Sequence, residues 1–221
     1  MNANATQKSP KNTAQQATSC QKQDEMIMVV KRTDLFGSAD DAEVWQGLRR
    51  DNLQTYLDRM HTHRTFMPRS LMETDPTYIQ IIPYLVFTYD NKYFLMQRKA
   101  EASEQRLRNK ISLGIGGHLR AEDITGTDLF AWAQREFHEE VAYVDRFSVS
   151  FYGIINDDSN DVGKVHIGPV LLVSGTSPHI AIKSEHKSGE LVSLDQCALM
   201  YDNLESWSQL ILRSLIDNSK S

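Results

Sequence analysis

Four charged residues near the middle of the chain have the types and spacing of a metal-dependent active site. They are Arg135, Glu136, Glu139 and Glu140, in the segment R-E-F-H-E-E. Glu136, Glu139 and Glu140 are three and four residues apart, so a helix would place their carboxylates on one side. Carboxylates held this close repel one another unless a cation relieves them, and oxygen ligands suit Mg²⁺ or Mn²⁺. The segment therefore predicts a hard-metal site.

A glycine-rich turn lies upstream of these acids. Gly114, Gly116 and Gly117 fall within four residues, which indicates a backbone that bends sharply or approaches another group closely. Acidic residues near the C-terminal end of a helix are disfavoured by the helix dipole. Stability alone therefore does not explain the acids, although an ordinary solvated helix face remains the alternative interpretation.

The helix that carries the acids is predicted to begin at about Thr127 or Asp128, with Thr127 as its N-cap, and to end at Val141. At about 100° per residue, an apolar stripe faces the core. The stripe is predicted to contain Phe130, Ala133, Phe137 and Val141. The acids lie at the edge of this stripe, where partial burial raises the pKa of a carboxyl group when no metal is bound. Arg135 can offset their charge or brace their geometry.

The region resembles the Nudix box, G-x5-E-x7-R-E-U-x-E-E-x-G-U, in which U is a bulky aliphatic residue. Residues 135–140 match the R-E-U-x-E-E portion, with Phe137 at the U position. Further segments resemble a subgroup of predicted Nudix phosphoesterases, so the resemblance covers residues 26–216. These segments are I-I-P-Y (81–84), S-L-G-I-G-G-H (112–118), V-H-I-G (165–168) and L-E-S-W-S (204–208).

The start and end of the box depart from the family pattern. Its opening glycine corresponds to Gly117, preceded by Gly116. Counting from Gly117 puts the first acid at Asp123, and counting from Gly116 puts it at Glu122. The spacer to the arginine is then eleven or twelve residues instead of seven. Ala142 stands where the second glycine is expected, followed by Tyr143.

The resemblance implies an α+β fold, a Nudix-type α/β/α sandwich around a mixed β-sheet. It also implies hydrolysis of the pyrophosphate bond in a nucleoside diphosphate linked to another moiety, with Mg²⁺ or Mn²⁺ as cofactor. Glu136, Glu139, Glu140 and the Gly116 carbonyl would hold the metal. Arg135, Glu136 and Glu139 would be catalytic, with Glu136 acting as base or as ligand.

Residues outside the helix could complete such a site. Glu185 and Glu190 are candidates for a base in a late loop, and a solvated loop charge is the alternative for each. His118 follows the glycine turn and Arg98 ends a strand, so either could contact phosphate. His166 lies on an apolar strand, where a hydrogen-bonded core histidine is the simpler interpretation.

Hydrophobic spacing predicts the surrounding elements, and together they favour a mixed sheet between helices. The predicted strands are 26–31, 79–89 and 92–97 as a hairpin, 111–115, 146–155, 165–174, 180–182 and 191–192. The predicted helices are 42–60, one opened by the capping-box spacing of Ser193 and Gln196, and 204–216. Pro83 suggests an edge position or a bulge. Residues 1–25 are predicted to be a disordered polar tail, and residues 26–221 a single domain.

Composition limits the functional classes. Of 221 residues, 40% are hydrophobic and 24% charged, and the net charge is −5, which favours a globular chain that does not bind nucleic acid. The two cysteines, Cys20 and Cys197, do not suggest a disulfide framework. No apolar run approaches the roughly 18 residues of a membrane span. We therefore expect a cytoplasmic protein with a small-molecule substrate and no membrane partner, and a homodimer stays open.

Two other functions were weighed against the metal-dependent hydrolase. A catalytically silent Nudix domain could act as a nucleotide-binding sensor or regulator, but the intact R-E-F-H-E-E segment disfavours loss of catalysis. A diphosphate isomerase of the same fold would need dedicated acid and base residues, such as a catalytic cysteine. Cys20 and Cys197 are poorly placed for that role.

Overall fold

The computed structural model describes residues 24–38, 43–98, 110–123, 129–183 and 187–219, without the side chains of Arg98 and Lys187. The predicted tail overlaps these ranges only at Asp24 and Glu25. Both contact the first turn of a short helix: Ser70 Oγ donates to the Asp24 carboxylate, and the Arg69 N–H donates to the Glu25 carbonyl at 2.9 Å. The rest of the predicted tail lies outside the described residues.

Thirteen strands and six α-helices are formed in the described part of the chain. The strands are β1 (Met26–Lys31), β2 (Gly47–Arg49), β3 (Thr65–Pro68), β4 (Tyr78–Ile81), β5 (Tyr84–Tyr89), β6 (Lys92–Arg98), β7 (Ile111–Ser112), β8 (Ile115–Gly116), β9 (Val141–Ala142), β10 (Phe147–Asn156), β11 (His166–Gly175), β12 (Ala181–Ile182) and β13 (Lys187–Ser193). The helices are α1 (Arg32–Phe36), α2 (Leu53–Thr62), α3 (Arg69–Met72), α4 (Leu129–Glu140), α5 (Leu194–Leu199) and α6 (Ser206–Ser219).

Strand β11 lies at the centre of a mixed sheet. The order along the sheet is β13-β6-β5-β11-β4-β1-β3, and β10 joins β11 to β2. β11 runs parallel to β4 and β5 and antiparallel to β10, while the other pairings are antiparallel. Its run of apolar residues suits a strand that is covered on both faces.

Two apolar clusters cover the two faces of the sheet. One cluster joins the sheet to α1, α2 and α4, and the other joins it to α5 and α6. Helices therefore pack on both sides, and the predicted α/β/α sandwich around a mixed sheet is confirmed. Among the described helices, none is long and apolar enough to cross a bilayer.

The predicted strand at 79–89 is in fact two strands separated by Ile82 and Pro83. Both pieces pair with β11: Gln80 aligns with His166, and Tyr84 aligns with Val170. Pro83 is therefore neither at an edge nor at a bulge. Because proline has no N–H to donate, it fits the gap where the pairing is interrupted.

The predicted helix at 42–60 was wrong in its first half. Gly47–Arg49 instead forms a strand that pairs with β10, and the helix begins at Leu53. Gly47 has φ +97° and Asn52 has φ +52°, two left-handed positions that a continuous helix cannot contain. Pairing with a distant strand overrides the helical spacing of Val44, which lies outside any helix.

Local capping and turn chemistry was predicted correctly. The hairpin between β5 and β6 turns at Asp90 and Asn91, whose φ angles of +48° and +57° match a type I′ turn. Ser193 and Gln196 make both bonds of a capping box at the start of α5. Cys197 lies in this helix as a buried free thiol.

The buried side of α4 differs from the prediction at one position. Ala133, Phe137 and Val141 are fully buried, but Phe130 is 41% exposed and Trp132 is 2% exposed. Phe130 lies in the first turn of α4, where Trp132 is buried against the core instead.

We expect Phe137→Ala to lower the free energy of unfolding by about 3–5 kcal/mol. The Phe137 ring is fully buried and stacks on Phe87 at 5.6 Å, so its removal leaves a cavity between α4 and the sheet. Urea unfolding would measure the loss. Val144→Ala is the matched control, because Val144 is 95% exposed and its truncation should change stability by less than about 0.5 kcal/mol. Equal effects of the two substitutions would contradict this packing.

Candidate active site

A cavity of about 880 Å³ opens beside the N-terminal end of β11. The parts of the chain that border it include the glycine turn, helix α4, the loop between β10 and β11, and the start of α6. The residues of the turn and of α4 that face the cavity are Gly116, Gly117, His118, Arg120, Glu136 and Glu139. The predicted acids and the predicted turn therefore meet at one cavity, although they are about twenty residues apart in sequence.

The hydroxyl group of Tyr84 holds the glycine turn in place. It accepts the Gly114 N–H at 3.1 Å and lies 2.8 Å from Ser112 Oγ and 3.0 Å from Ser208 Oγ. A Cβ on Gly114 would lie 2.3 Å from the Tyr84 ring, so only glycine allows this approach. Burial, and the nearby Glu205 carboxylate, raise the pKa of Tyr84 to about 12, so the hydroxyl stays protonated.

Trp207 connects the same site to β11. Its ring lies edge-on to Tyr84 at 5.8 Å and covers Gly168, where a Cβ would lie 2.5 Å from the ring. The Leu113 N–H also donates to Ser208 Oγ at 2.9 Å. The four short segments that carried the subgroup resemblance thus converge around this cavity.

Glu136 packs closely against the glycine turn. Its Oε1 would lie 2.7 Å from a Cβ at Gly117, so the carboxylate occupies the space left by the absent side chain. Burial raises the pKa of Glu136, and the negative charges of Glu139, Glu140 and Asp123 raise it further. A cation at this position would relieve both effects.

Asp123, rather than Glu122, forms an ion pair with helix α4. Its side chain is 7% exposed and lies between two guanidinium groups, 2.9 Å from Arg120 Nε and 3.0 Å from Arg135 Nη2. Burial opposes its ionisation, but the hydrogen bonds and charge of Arg120, together with Arg135, lower its pKa overall. Glu122 is 70% exposed and lies 3.8 Å from Arg120, at the surface.

Arg135 braces the acids instead of facing the cavity. It pairs with Asp123 on one side and with Glu139 at 3.5 Å on the other. The side chain of Glu139 is 53% exposed, and it borders the cavity beside Glu136. Glu140, the last residue of α4, is partly buried and does not border the cavity.

The donor set fits a hard divalent cation by its chemistry. Glu136 borders the cavity with Glu139 and the exposed Gly116 backbone, and all three offer oxygen. Within the described ranges, no three acidic, histidine or cysteine side chains are already grouped as a metal-binding cluster. Glu139 is exposed enough to change rotamer, so a cation can draw it toward Glu136.

The two histidines lie together on another wall of the cavity. Their rings are 5.9 Å apart, edge to face. His118 Nε2 is 2.8 Å from Gln80 Oε1, and His166 Nδ1 is 2.6 Å from the Val162 carbonyl. Burial, together with the charges of Arg69 and His166, lowers the pKa of His118 to about 4.

Three other predicted residues are not brought into the cavity by the described structure. Glu185 and the Arg98 side chain lie outside the described residues, although β6 does end at Arg98 as predicted. Glu190 is exposed on β13 and is not among the described residues that border the cavity.

Asp157 is a residue of the site that the sequence pattern did not indicate. It borders the cavity, is 3% exposed, and accepts hydrogen bonds from Gln46 Nε2 at 2.6 Å and Ser159 Oγ at 2.5 Å. Burial opposes its ionisation, but these hydrogen bonds outweigh it and lower the pKa of Asp157. The available signal was its position in a polar run directly before the most apolar strand, where such loops often carry function.

A sheet sandwiched between helices, with an R-E-F-H-E-E helix packed on a glycine turn, defines the class of Nudix hydrolases. Two known proteins are similar to the chain over most of its length. The chain is 34% identical over 205 residues to Protein YmaB of Bacillus subtilis (strain 168), across 86% of this chain and 97% of YmaB. It shares 29% identity and a TM-score of 0.72 with the crystal structure of Tm1382, a protein assigned to the Nudix hydrolases, across 87% of this chain and 99% of Tm1382.

The chain therefore belongs to the Nudix hydrolase family. No family model matches it. The relationship consequently rests on these whole-length similarities and on the convergence of the box residues at one cavity.

We expect Asp123→Asn to lower the free energy of unfolding at pH 7 by about 2 kcal/mol, because two charge-assisted hydrogen-bonding partners lose their anion. The folded-state pKa of Asp123 lies below its unfolded value, so its contribution is present above about pH 4. It is lost as the pH falls through the folded-state pKa. Urea unfolding of the wild type and of Asp123→Asn at pH 7 and pH 3 would measure this. The difference between their free energies of unfolding should be smaller at pH 3.

Glu122→Gln is the matched control for this substitution. Glu122 is exposed and its contact with Arg120 is long, so Glu122→Gln should change the free energy of unfolding by less than about 0.5 kcal/mol. A larger loss for Glu122→Gln than for Asp123→Asn would show that Glu122 occupies the acidic position of the box.

Proposed function

We propose that this protein is a metal-dependent hydrolase that cleaves the pyrophosphate bond of a nucleoside diphosphate linked to another moiety. One observation carries the proposal. The Glu136 carboxylate is packed against the Gly117 backbone at a cavity, among other negative charges that raise its pKa. The repulsion among these carboxylates is relieved only by a bound cation or a proton. Selection for stability alone would therefore not retain the arrangement.

The chain offers oxygen ligands for one or more Mg²⁺ or Mn²⁺ ions. Glu136, Glu139, Glu140 and the Gly116 carbonyl would hold them. When bound, such ions neutralise diphosphate charge and lower the pKa of a bound water. Arg135 contributes indirectly, because its ion pairs with Asp123 and Glu139 fix where Glu139 can reach.

Hydrolysis requires a water to be positioned and deprotonated at the cavity. Attack by its oxygen on one phosphorus breaks the P–O bond of the bridging oxygen and gives two phosphate-bearing products. The proton of the water passes to a carboxylate of the Glu136–Glu139 pair, and from there to solvent. The raised pKa of Glu136 makes that carboxylate a better proton acceptor than an exposed glutamate.

The rest of the cavity suits a small phosphorylated molecule. Its volume of about 880 Å³ lies in the range of small-ligand sites, roughly 300–1,000 Å³. Arg69, Lys110 and Arg120 place cationic groups around it, and Trp207 adds an aromatic wall. We include in the proposal a small-molecule substrate and a cytoplasmic location, supported by the low cysteine content and the free Cys197 thiol.

The substrate class can be tested by a release assay. Nucleoside di- and triphosphates, dinucleoside polyphosphates and nucleotide sugars would be incubated with the protein in Mg²⁺ and in Mn²⁺. We expect phosphate or a nucleoside monophosphate from at least one class. Glu139→Gln should reduce turnover by about 100-fold or more while the fold is retained, because a cation ligand or proton acceptor is lost.

Glu122→Gln serves as the control for Glu139→Gln, because it also removes a glutamate charge near α4 but lies at the surface. Its turnover should equal that of the wild type. Full activity in Glu139→Gln and in Glu140→Gln would overturn the proposal. Tight nucleotide binding by calorimetry with no hydrolysis of any compound would favour the alternative, a catalytically silent nucleotide sensor.

Cation binding can be measured without any substrate. We expect Mg²⁺ or Mn²⁺ to raise the free energy of unfolding by about 2.7 kcal/mol at 100 times the dissociation constant. Glu136→Gln should remove most of this gain, since the variant lacks the central carboxylate. The gain should also shrink as the pH falls, because protons compete for a carboxyl group whose pKa is raised. Equal gains in wild type and Glu136→Gln would exclude Glu136 as a ligand.

A further inference from the structure

The indole nitrogen of Trp132 is a buried hydrogen-bond donor that lacks an acceptor. Trp132 lies in α4 and is 2% exposed, and its Nε1 is closed off from solvent and has no hydrogen-bond partner among the described residues. A buried donor without a partner is unfavourable, so buried tryptophans usually bond this group. Trp45 shows the usual arrangement, since its Nε1 donates to the Gly47 carbonyl at 2.9 Å.

Neither water nor the nearby Asp123 carboxylate supplies the missing acceptor. Trp132 borders a second cavity of about 630 Å³, but its Nε1 is closed off, so water in that cavity does not reach it. Asp123 borders the second cavity too, and its carboxylate already accepts three hydrogen bonds from Arg120. An indole N–H can only donate, so its partner has to be another side chain with unused lone pairs.

The Glu136 carboxylate lies one helical turn after Trp132 and has such lone pairs. Side chains on a helix lean toward its N-terminus, so a residue covers the one four positions before it. A Cβ at Gly117 would lie 2.7 Å from Glu136 Oε1 and 3.5 Å from Trp132 Cζ2, and Cζ2 shares one edge of the indole with Nε1. No described residue donates a hydrogen bond to Glu136. A donor without an acceptor and an acceptor without a donor therefore pack against the same glycine.

We propose that Trp132 is the positioning residue of Glu136, and that its Nε1 donates a hydrogen bond to the carboxylate when Glu136 binds a cation. The inference rests on the cation-binding part of the proposed function. A carboxylate offers about four lone-pair sites, so it can accept the N–H and still bind a cation. Rotation of the Glu136 side chain suffices, because its terminal torsion is broad. Since the bond is made only in the cation-bound state, it adds to the free energy of cation binding and fixes the orientation of the ligand.

The hydrogen bond can be observed by NMR in the substrate-free protein. The chain has three tryptophans, so the indole N–H spectrum contains three signals, and Trp132→Phe identifies the signal of Trp132 by its loss. Saturating Mg²⁺ should move this proton signal downfield, as a new hydrogen bond to a carboxylate does. The Trp45 signal is the internal control, because its N–H is already bonded to Gly47. A Trp132 signal that stays in place, in protein whose Mg²⁺ binding is established by calorimetry, would overturn the inference.

The contribution of the N–H to cation binding can be separated from the packing of the ring. A benzothiophene ring in place of the Trp132 indole keeps the two-ring shape and lacks the N–H. We expect it to raise the Kd for Mg²⁺ by about 10-fold, because a hydrogen bond to a charged ligand is lost. Trp45→Phe is the control, since it removes a bonded N–H away from the cavity and should leave the Kd within about 2-fold. Wild-type affinity in the benzothiophene protein would reduce Trp132 to a packing residue and contradict the inference.

Failure of this inference and failure of the proposed function give different results. A protein whose Trp132 signal responds to Mg²⁺ but that hydrolyses no diphosphate would refute the function and support the inference. An active protein whose Trp132 signal does not respond would refute the inference and leave the function standing. A protein that binds neither Mg²⁺ nor Mn²⁺ would refute both the inference and the metal dependence of the proposed function.

Discussion

The contact between the Glu136 carboxylate and the Gly117 backbone is the constraint on which the rest of the site depends. Any Cβ at Gly117 would press on Oε1 at 2.7 Å, so the carboxylate can lie there only beside a glycine. The contact also removes the carboxylate from water, which is why its charge is destabilised. Burial of Ala133 and Phe137 on the next face of α4 locks the helix rotation that aims Glu136 at the turn. Packing energy from the core thus maintains an electrostatic arrangement that is unfavourable by itself.

The turn is held just as firmly from its other side. Tyr84, Ser112, Gly114 and Ser208 come from three distant parts of the chain and share one buried hydroxyl network. Each bond satisfies a polar group that would otherwise be buried without a partner, so the network tolerates few arrangements. Glu136 therefore packs against a turn that this network holds in place. The geometry of the cavity depends on β5 and α6 as much as on the box itself.

What the sequence could predict follows from how local each interaction is. The helix that carries the acids, the Asp90-Asn91 turn and the Ser193 capping box depend on neighbours within a few residues, and these elements were predicted correctly. The helix over Gly47–Arg49 was wrong because pairing with β10, about a hundred residues away, determines that segment. Asp157 was missed for a similar reason, since its partner Gln46 is 111 residues away in sequence. The order of the predicted elements favoured a mixed sheet between helices, and the family resemblance identified that sandwich as Nudix-type.

The unusual length of the box shows which of its features matter physically. Asp123 and Arg135 are separated by eleven residues, compared with seven in the family pattern, yet they form an ion pair at 3.0 Å. Hydrogen bonds to charged groups contribute about 1.5–3 kcal/mol, which stabilises the contact between Asp123 and α4 across this longer spacer. Arg120 strengthens it by holding Asp123 from the opposite side at 2.9 Å. In this chain, the ion pairs that join Asp123 to Arg120 and Arg135 thus form at a longer spacing than the family pattern has.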